Sequence, residues 1–226
     1  TGLPLDDDDL FFVSKLPDRA GNGILIEYFN PGPNNATASV TVTKATAALT
    51  TNLPGTNDDL VYTAKLACDG SIGNNIRIRY VVQLPNTPLS VAVAGSGCTQ
   101  DITVIVQTDG LGQAVSTATQ VMNAVNASAA ASALVTAALA PSNNGTGKVS
   151  PLDFSNLRGG RDNIRVTLAT DSEGGSLPTA AQVKTLIEGA TVAPNDANNL
   201  VSVRFAEGTG ANLVHAMTPQ RLAGGA

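Results

Sequence analysis

The chain has 226 residues, of which 42% are hydrophobic, 14% charged and 4% aromatic, and its formal net charge is −5. Thirteen Lys and Arg against 18 Asp and Glu argue against a nucleic-acid-binding surface, and the absence of a run of about 18 apolar residues excludes a transmembrane helix. Because soluble domains average about 25% charged residues, we expect other subunits to cover much of this charge-poor surface.

The first residues combine an unusual start with the densest charge of the chain. Thr1-Gly2-Leu3 contains no Met and no secretion signal, so we expect a processed or trimmed start. Four carboxylates follow, at Asp6, Asp7, Asp8 and Asp9, and Ca²⁺ prefers such ligands. Asp8-Asp9 recurs as Asp58-Asp59 before the same predicted strand, however. The residues therefore favour a strand-entry turn, with a metal site as the alternative, and no cofactor is predicted.

Two copies of one segment, half-module N, fill the first part of the chain. Asp8–Leu16 matches Asp58–Leu66 at an offset of 50 residues. The match continues in two further pairs, Gly21–Tyr28 with Gly73–Tyr80 and Ser39–Val42 with Ser90–Val93. In the second copy, alternating and β-branched residues separated by Gly, Asn and Pro predict three strands, at Leu60–Leu66, Ile76–Val82 and Leu89–Val93.

Two copies of another segment, half-module C, complete the chain. The matching pairs are Asp101–Val104 with Asn163–Val166, Thr108–Gly110 with Thr170–Ser172, Thr119–Val121 with Ala181–Val183, Leu134–Thr136 with Leu200–Ser202, Gly145–Gly147 with Gly208–Gly210, and Leu157–Gly160 with Leu222–Gly225. We predict a strand at Ile102–Val106, a turn at Asp109–Gly112 and then a helix. Ser116 and Thr117 are the candidate N-caps of this helix, as is Thr179 in the second copy.

The alanine-rich segment after that helix has two competing interpretations. Its composition from Ala129 to Ala140 favours more helix. Its repeat counterpart, Leu200–Phe205, is β-branched and alternating, and predicts a strand at Leu134–Leu139 instead. A further short strand near Val149 is expected to close the module.

The order of the halves along the chain is N, N, C, C. Residues 56–160 then form one complete module, whereas residues 1–55 and 161–226 are two halves of another, which pair within one chain or between chains. We predict an α+β, β-rich fold of two similar small modules, each a mostly antiparallel sheet or sandwich with one helix packed on it. Exchange of halves between chains would build a polymer or lattice.

The two cysteines, Cys68 and Cys98, are too few for a disulfide framework and lack metal-ligand spacing. Two separate buried thiols are the favoured interpretation. The alternative is a disulfide that closes a loop of about 30 residues and contributes about 3–4 kcal/mol.

No residue pattern predicts an enzyme. The single histidine, His215, has no second imidazole or thiolate nearby in sequence, which indicates a surface or turn residue. The Gly-Thr-Gly segments are too short for a phosphate-binding loop and lack its helix start, which indicates hairpin turns. Asp109 and Asp171 indicate Asx-type turns and caps. Four arginines on alternating strand positions indicate a wet face or intersubunit salt bridges: Arg77, Arg79, Arg165 and Arg204.

Several of these motifs together resemble a repeat module of tailed-bacteriophage virion structural proteins. The residues that carry the resemblance are Asp59–Lys65, Gly73–Ile76, Leu89–Val91, Thr117–Val121, Ala131–Val135, Gly145–Gly147 and Leu157–Gly160. It covers residues 56–160 well and the flanking halves more loosely. It implies a non-enzymatic capsid decoration, tail or fibre component that is assembled in the host cytoplasm and resides in the virion, with copies of itself and other virion proteins as partners.

Two functions therefore stand side by side, a self-assembling structural subunit and a receptor- or glycan-binding fibre module. Sugar binding generally uses exposed aromatic platforms beside polar groups. The chain has five Phe, three Tyr and no Trp, and four of these aromatics occupy repeated strand positions that predict a core: Phe11, Tyr28, Tyr62 and Tyr80. The structural subunit is the leading hypothesis.

Overall fold

The computed structural model describes residues 7–193 and 195–223. The strands are β1 Leu10–Ser14, β2 Ile24–Phe29, β3 Ser39–Ala45, β4 Ala48–Thr50, β5 Leu60–Ala64, β6 Arg77–Val82, β7 Ser90–Ser96, β8 Thr99–Val106, β9 Val135–Leu139, β10 Leu152–Asn156, β11 Arg161–Thr167, β12 Val201–Phe205 and β13 Met217–Arg221. The α-helices are α1 Ala118–Ala127, α2 Ala129–Leu134, α3 Ala180–Gly189 and α4 Ala197–Leu200, and the 3₁₀ helices are Asp18–Gly23, Leu66–Cys68 and Gly70–Asn75. The predicted α+β, β-rich class is confirmed. No helix in the described ranges is long and apolar enough to span a membrane.

The chain folds into two compact units. Unit 1 comprises the described residues up to Lys44 together with those from Arg161 onwards, and unit 2 comprises Ala45–Gly160. Strands from the two separate segments pair directly in unit 1, antiparallel between β1 and β12 and parallel between β2 and β11. Residues 8–42 and 163–221 of one chain thus share sheets.

The two units have the same strand order. A four-stranded sheet runs β10-β6-β8-β7 in unit 2 and β13-β2-β11-β3 in unit 1. Its two central strands are parallel in both units, and the edge strands β7, β10 and β13 pair antiparallel with their neighbours. A second sheet pairs β5 with β9 in unit 2 and β1 with β12 in unit 1. The repeat in sequence is therefore a repeat in topology.

One helix packs against the smaller sheet of each unit, α1 on β9 and α3 on β12. Thr117 and Thr179 are the N-caps, as predicted, and each forms a capping box in which its side chain accepts the N–H of Gln120 or Gln182. Ser116 is buried instead, and its hydroxyl accepts the N–H of Gln107. The apolar side of each helix closes a separate core, with Ala118, Val121 and Val125 in unit 2 and Ala180, Val183 and Ile187 in unit 1.

Several boundaries differ from the sequence-based ones. Unit 2 begins at Ala45 rather than at residue 56, because β4 pairs with β5 and Ala48 exchanges backbone hydrogen bonds with Arg158. The alanine-rich segment is both helix and strand, as α2 is followed directly by β9. The short closing strand expected near Val149 begins three residues later, as β10, whereas Val149 itself is a buried residue next to an isolated bridge at Lys148.

Candidate functional site

Asp7 of the acidic N-terminal run holds the two segments of unit 1 together through hydrogen bonds of its side chain. The Asp7 carboxylate accepts the N–H groups of Gly210 (2.7 Å) and Ala211 (3.2 Å) and the hydroxyl of Thr209 (3.2 Å). These hydrogen bonds, that of Gly210 foremost, lower the pKa of Asp7. In the equivalent Asn57 of unit 2, the side-chain oxygen accepts the N–H of Asn144 and the backbone carbonyl accepts that of Gly147. Asp6 lies outside the described residues.

The next carboxylate of each copy is buried. Asp8 and Asp58 are at most 1% exposed, and Asp58 accepts the N–H of Gly55. Asp59 accepts the N–H of Leu53 and the hydroxyl of Thr51. Across the described ranges, no group of three or more His, Cys, Asp or Glu side chains is placed to hold a metal ion. The contacts that the structure gives these aspartates are those of strand-entry turns.

Cys68 and Cys98 form a disulfide in unit 2. The favoured interpretation, two separate buried thiols, is therefore wrong for this structure. Cys68 is buried in a 3₁₀ helix, whereas Cys98 lies in the turn between β7 and β8. Their proximity comes from the fold, since 30 residues separate them in sequence.

The remaining polar candidates have local structural contacts. Asp109 accepts the N–H groups of Leu111 and Gln113, and Asp171 accepts those of Glu173 and Gly175, which confirms the predicted Asx turns. His215 is partly buried in the loop before β13. Its buried Nε2 has no hydrogen-bond partner among the described residues.

The Gly-Thr-Gly segments serve the helix N-termini instead of forming simple hairpins. The carbonyls of Gly145 and Gly147 accept the N–H groups of Thr119 and Ala118. In unit 1, the carbonyls of Gly210 and Asn212 accept those of Ala181 and Ala180. The true counterpart of Gly145 is therefore Gly210, two residues beyond the sequence match, and these carbonyls satisfy N–H groups that a helix start leaves free.

The arginines lie on the exposed faces of the sheets and pair within the chain. Arg77 donates to both oxygens of Asp101 (2.6 and 2.7 Å), which raises the pKa of Arg77, and Arg165 donates to Glu27 (2.8 Å). Arg79 donates to the Thr103 hydroxyl.

Each of these faces also carries an aromatic ring beneath a guanidinium. The pairs and their distances to the ring centroid are Arg77 and Arg79 over Phe154 (4.4 Å each), Arg165 over Phe29 (4.8 Å) and Arg204 over Phe11 (4.5 Å). The prediction that Phe11 belongs to the core is wrong, because Leu10 and Phe12 point inwards and the residue between them must point out.

The three tyrosines are buried, as predicted. Tyr62 and Tyr80 share a hydrogen bond of 2.6 Å in unit 2, and burial raises the pKa of both hydroxyls. Phe12 stands at the position of Tyr62 in unit 1, and no described residue is a hydrogen-bond partner of the Tyr28 hydroxyl. Burial, with the nearby charges of Asp9 and Asp8, raises the pKa of Tyr28.

Two leucines of unit 2 project from adjacent loops, and we call this feature the loop tip. Leu84 lies between β6 and β7 and is 78% exposed, and Leu111 lies between β8 and α1 and is 84% exposed. The loops are joined by the Thr108 hydroxyl, which donates to the Leu84 carbonyl (2.6 Å), and by the N–H of Asn86, which donates to the Asp109 carbonyl (2.9 Å). The leucines are therefore presented on a fixed backbone.

Unit 1 carries a groove of about 670 Å³ beside α3, and we call it the α3 groove. Its lining consists of Ala, Thr, Leu, Pro and Gln side chains and contains no charged residue. The walls include Ala38, Ala169, Leu177, Pro178, Ala181 and Leu186. An uncharged open groove of this kind fits aliphatic side chains.

Sequence reasoning missed both the loop tip and the α3 groove. The signal lay in the mismatches between the copies, where Leu84 replaces Gly32, Leu111 replaces Glu173 and Ala38 replaces Leu89. Only the fold reveals that these positions lie at a loop end and beside a helix.

Comparison with known proteins assigns no relative to this geometry: no protein-family model matches the chain, and no curated protein or solved structure matches it significantly.

Proposed function

We propose that this chain is a non-enzymatic structural subunit of a bacteriophage particle that self-associates or coats the particle, as a capsid decoration, tail or filament protein. Its partners are copies of itself and other virion structural proteins. The assignment to a phage particle rests on the sequence motifs that resemble a virion repeat module.

The observation that carries the proposal is the exposed aliphatic surface of a charge-poor chain. Leu84 and Leu111 are each more than three-quarters exposed, although only 14% of the residues are charged. Single exposed leucines are ordinary, but a pair on adjacent, hydrogen-bonded loops forms an apolar contact point that association would bury.

A receptor- or glycan-binding fibre module is the second candidate, and one observation favours it. Phe11, Phe29 and Phe154 are 38–45% exposed, beside polar groups. A guanidinium lies over each of these rings, however, at 4.4–4.8 Å from the centroid. Since a sugar stacks on the same ring face, the arginine must move before the sugar binds.

Electron microscopy of the purified chain, alone and mixed with phage capsids and tails, tests the proposal. Regular polymers or decorated particles are the expected result. Monodisperse particles that ignore capsids and tails, combined with binding to a glycan array that is lost in Phe154→Ala, would replace it with the second candidate. Thr136→Ala, a substitution at an exposed position of β9, is the matched control.

A further inference from the structure

The loops of the loop tip have the same hydrogen bonds as the equivalent loops of unit 1. The two leucines are therefore side-chain differences on a shared backbone arrangement. The Thr108 hydroxyl donates to the Leu84 carbonyl at 2.6 Å, and the Thr170 hydroxyl donates to the Gly32 carbonyl at 2.5 Å. The N–H of Leu111 donates to Asp109 as that of Glu173 donates to Asp171, both at 2.9 Å. The backbone is thus the same, and only unit 2 carries leucine at these two positions.

At the α3 groove the difference between the units is reversed, because unit 1 carries the smaller side chain and unit 2 carries the leucine. Ala38 precedes β3 and Leu89 precedes β7, on the side of each strand that faces inwards with Val40 or Val91. Leu89 packs against the core of unit 2, whereas Ala38 lines the groove of unit 1. A leucine side chain therefore already occupies this place in the sister unit, and the smaller alanine leaves room for one from elsewhere.

The loop tip matches this room in chemistry. The groove lining is uncharged, and the Asp109 carboxylate beside Leu111 is engaged by the N–H groups of its own turn. Two aliphatic side chains can enter the groove without bringing in a charge that would have to be desolvated.

We propose that the loop tip of one copy of this chain seats Leu84 and Leu111 in the α3 groove of a second copy. This inference rests on the proposed self-association and names the contact that produces it. Each copy offers one tip and one groove, so the contact is heterologous and each copy binds one neighbour at each surface. Such contacts continue into rings or filaments instead of stopping at a two-fold dimer.

Three exchanges between the units test the contact with residues that the same fold already accommodates. Ala38→Leu fills the groove as Leu89 fills its equivalent, and Leu84→Gly with Leu111→Glu gives the tip the residues of unit 1. Because burial of one leucine strengthens association by ~10- to 100-fold, we expect each variant to weaken self-association by at least tenfold. Sedimentation equilibrium over a concentration series measures this, and circular dichroism melting checks that each variant folds.

Leu177→Asp provides a second groove variant in case Ala38→Leu is overpacked, because Leu177 is 49% exposed at the rim. The matched control is Leu66→Glu, which removes an 88% exposed leucine outside both surfaces and should leave association unchanged.

A mixing experiment gives the strongest outcome. The groove variant retains its tip and the tip variant retains its groove, so an equimolar mixture should form heterodimers that grow no further. Wild-type assembly that neither variant weakens would overturn the tip-in-groove contact and leave the proposed function standing. A wild-type chain that stays monomeric at every concentration and does not bind particles would overturn both.

Discussion

Unit 2 is one continuous segment, whereas unit 1 is assembled from two segments that flank it. In unit 2, β7 and β8 form a hairpin whose last pair is Ser96 and Thr99. In unit 1, the equivalent strands β3 and β11 are neighbours in the sheet, but the whole of unit 2 lies between them in the chain. A hairpin tip is a place where insertions are tolerated, because the framework on either side keeps its hydrogen bonds. The chain therefore behaves as one module inserted into the hairpin of another.

The two units also differ in the interactions that stabilise them. Unit 2 has the Cys68–Cys98 disulfide, the Tyr62–Tyr80 hydrogen bond and the extra strand β4. Unit 1 has Phe12 at the position of Tyr62, and it uses the Asp7 carboxylate to hold its distant C-terminal segment. Since β1 and β12 are almost 200 residues apart, each such contact in unit 1 must offset a larger loop-closure entropy. We therefore expect unit 2 to be the more stable of the two.

The disulfide gives the largest expected difference between the units. Replacement of both cysteines by serine releases a 30-residue loop, and the chain-entropy model assigns about 3–4 kcal/mol of unfolding free energy to such a loop. The loss should be confined to unit 2. Hydrogen–deuterium exchange mass spectrometry measures it, as faster exchange in β6, β7 and β8 with unchanged exchange in β2 and β11. Equal acceleration in both units would contradict this assignment.

The buried tyrosine pair gives the next largest effect. Tyr62→Phe leaves the Tyr80 hydroxyl buried without a partner, which should destabilise unit 2 by about 1–3 kcal/mol in denaturant unfolding. The double variant Tyr62→Phe/Tyr80→Phe removes both groups, and should recover most of that loss.

Tyr28→Phe is the matched control for the tyrosine pair. It deletes a buried hydroxyl that has no partner among the described residues, so the stability of unit 1 should stay the same or rise. If all three variants lose the same free energy, the loss comes from packing and the hydrogen bond is not its cause.

Much of the two-unit organisation could be predicted from the sequence, because the order of sequence repeats indicates which segments belong to the same unit. The N, N, C, C order predicted that the outer halves are complementary, and residue type and spacing limited the N-caps to Ser116 or Thr117 in one copy and Thr179 in the other. The disulfide could not be derived from spacing, since the fold alone brings Cys98 to Cys68. Strand β4 has only three residues in an Ala- and Thr-rich segment, too short for a periodic signal.

The candidate surfaces were less predictable than the fold. Phe11 lies in a repeated strand together with core residues. Side chains alternate between the two faces of a strand, however, and that of Phe11 is on the outer face. Leu84, Leu111 and Ala38 carry no motif, and their meaning depends on which loops and helices lie beside them. A sequence repeat locates equivalent positions, but only the fold shows which of these positions are surface.

Phe12→Tyr sharpens the comparison by giving unit 1 the hydrogen bond of unit 2. A hydroxyl at this position would reach Tyr28 as Tyr62 reaches Tyr80, and a net hydrogen bond contributes about 0.5–1.5 kcal/mol. We expect unit 1 to be stabilised by that amount in denaturant unfolding followed by exchange in β2 and β11. In the Tyr28→Phe background the same substitution should give no gain, and a gain there would assign the effect to added packing.

The smallest expected effect concerns acid. Because hydrogen bonds lower the pKa of Asp7 in the folded chain, its contribution to stability is present above the ordinary aspartate pKa of about 3.9 and is lost as the pH falls through the lower folded value. Asn57, its counterpart in unit 2, does not titrate. The Gly210 amide, which donates to the Asp7 carboxylate at 2.7 Å, should therefore lose protection from hydrogen exchange below about pH 4, measured by NMR, relative to the Asn144 amide, which donates to the Asn57 side chain in unit 2. In Asp7→Asn the two amides should respond to acid in parallel. If Gly210 keeps the same extra acid sensitivity in that variant, Asp7 is not its cause.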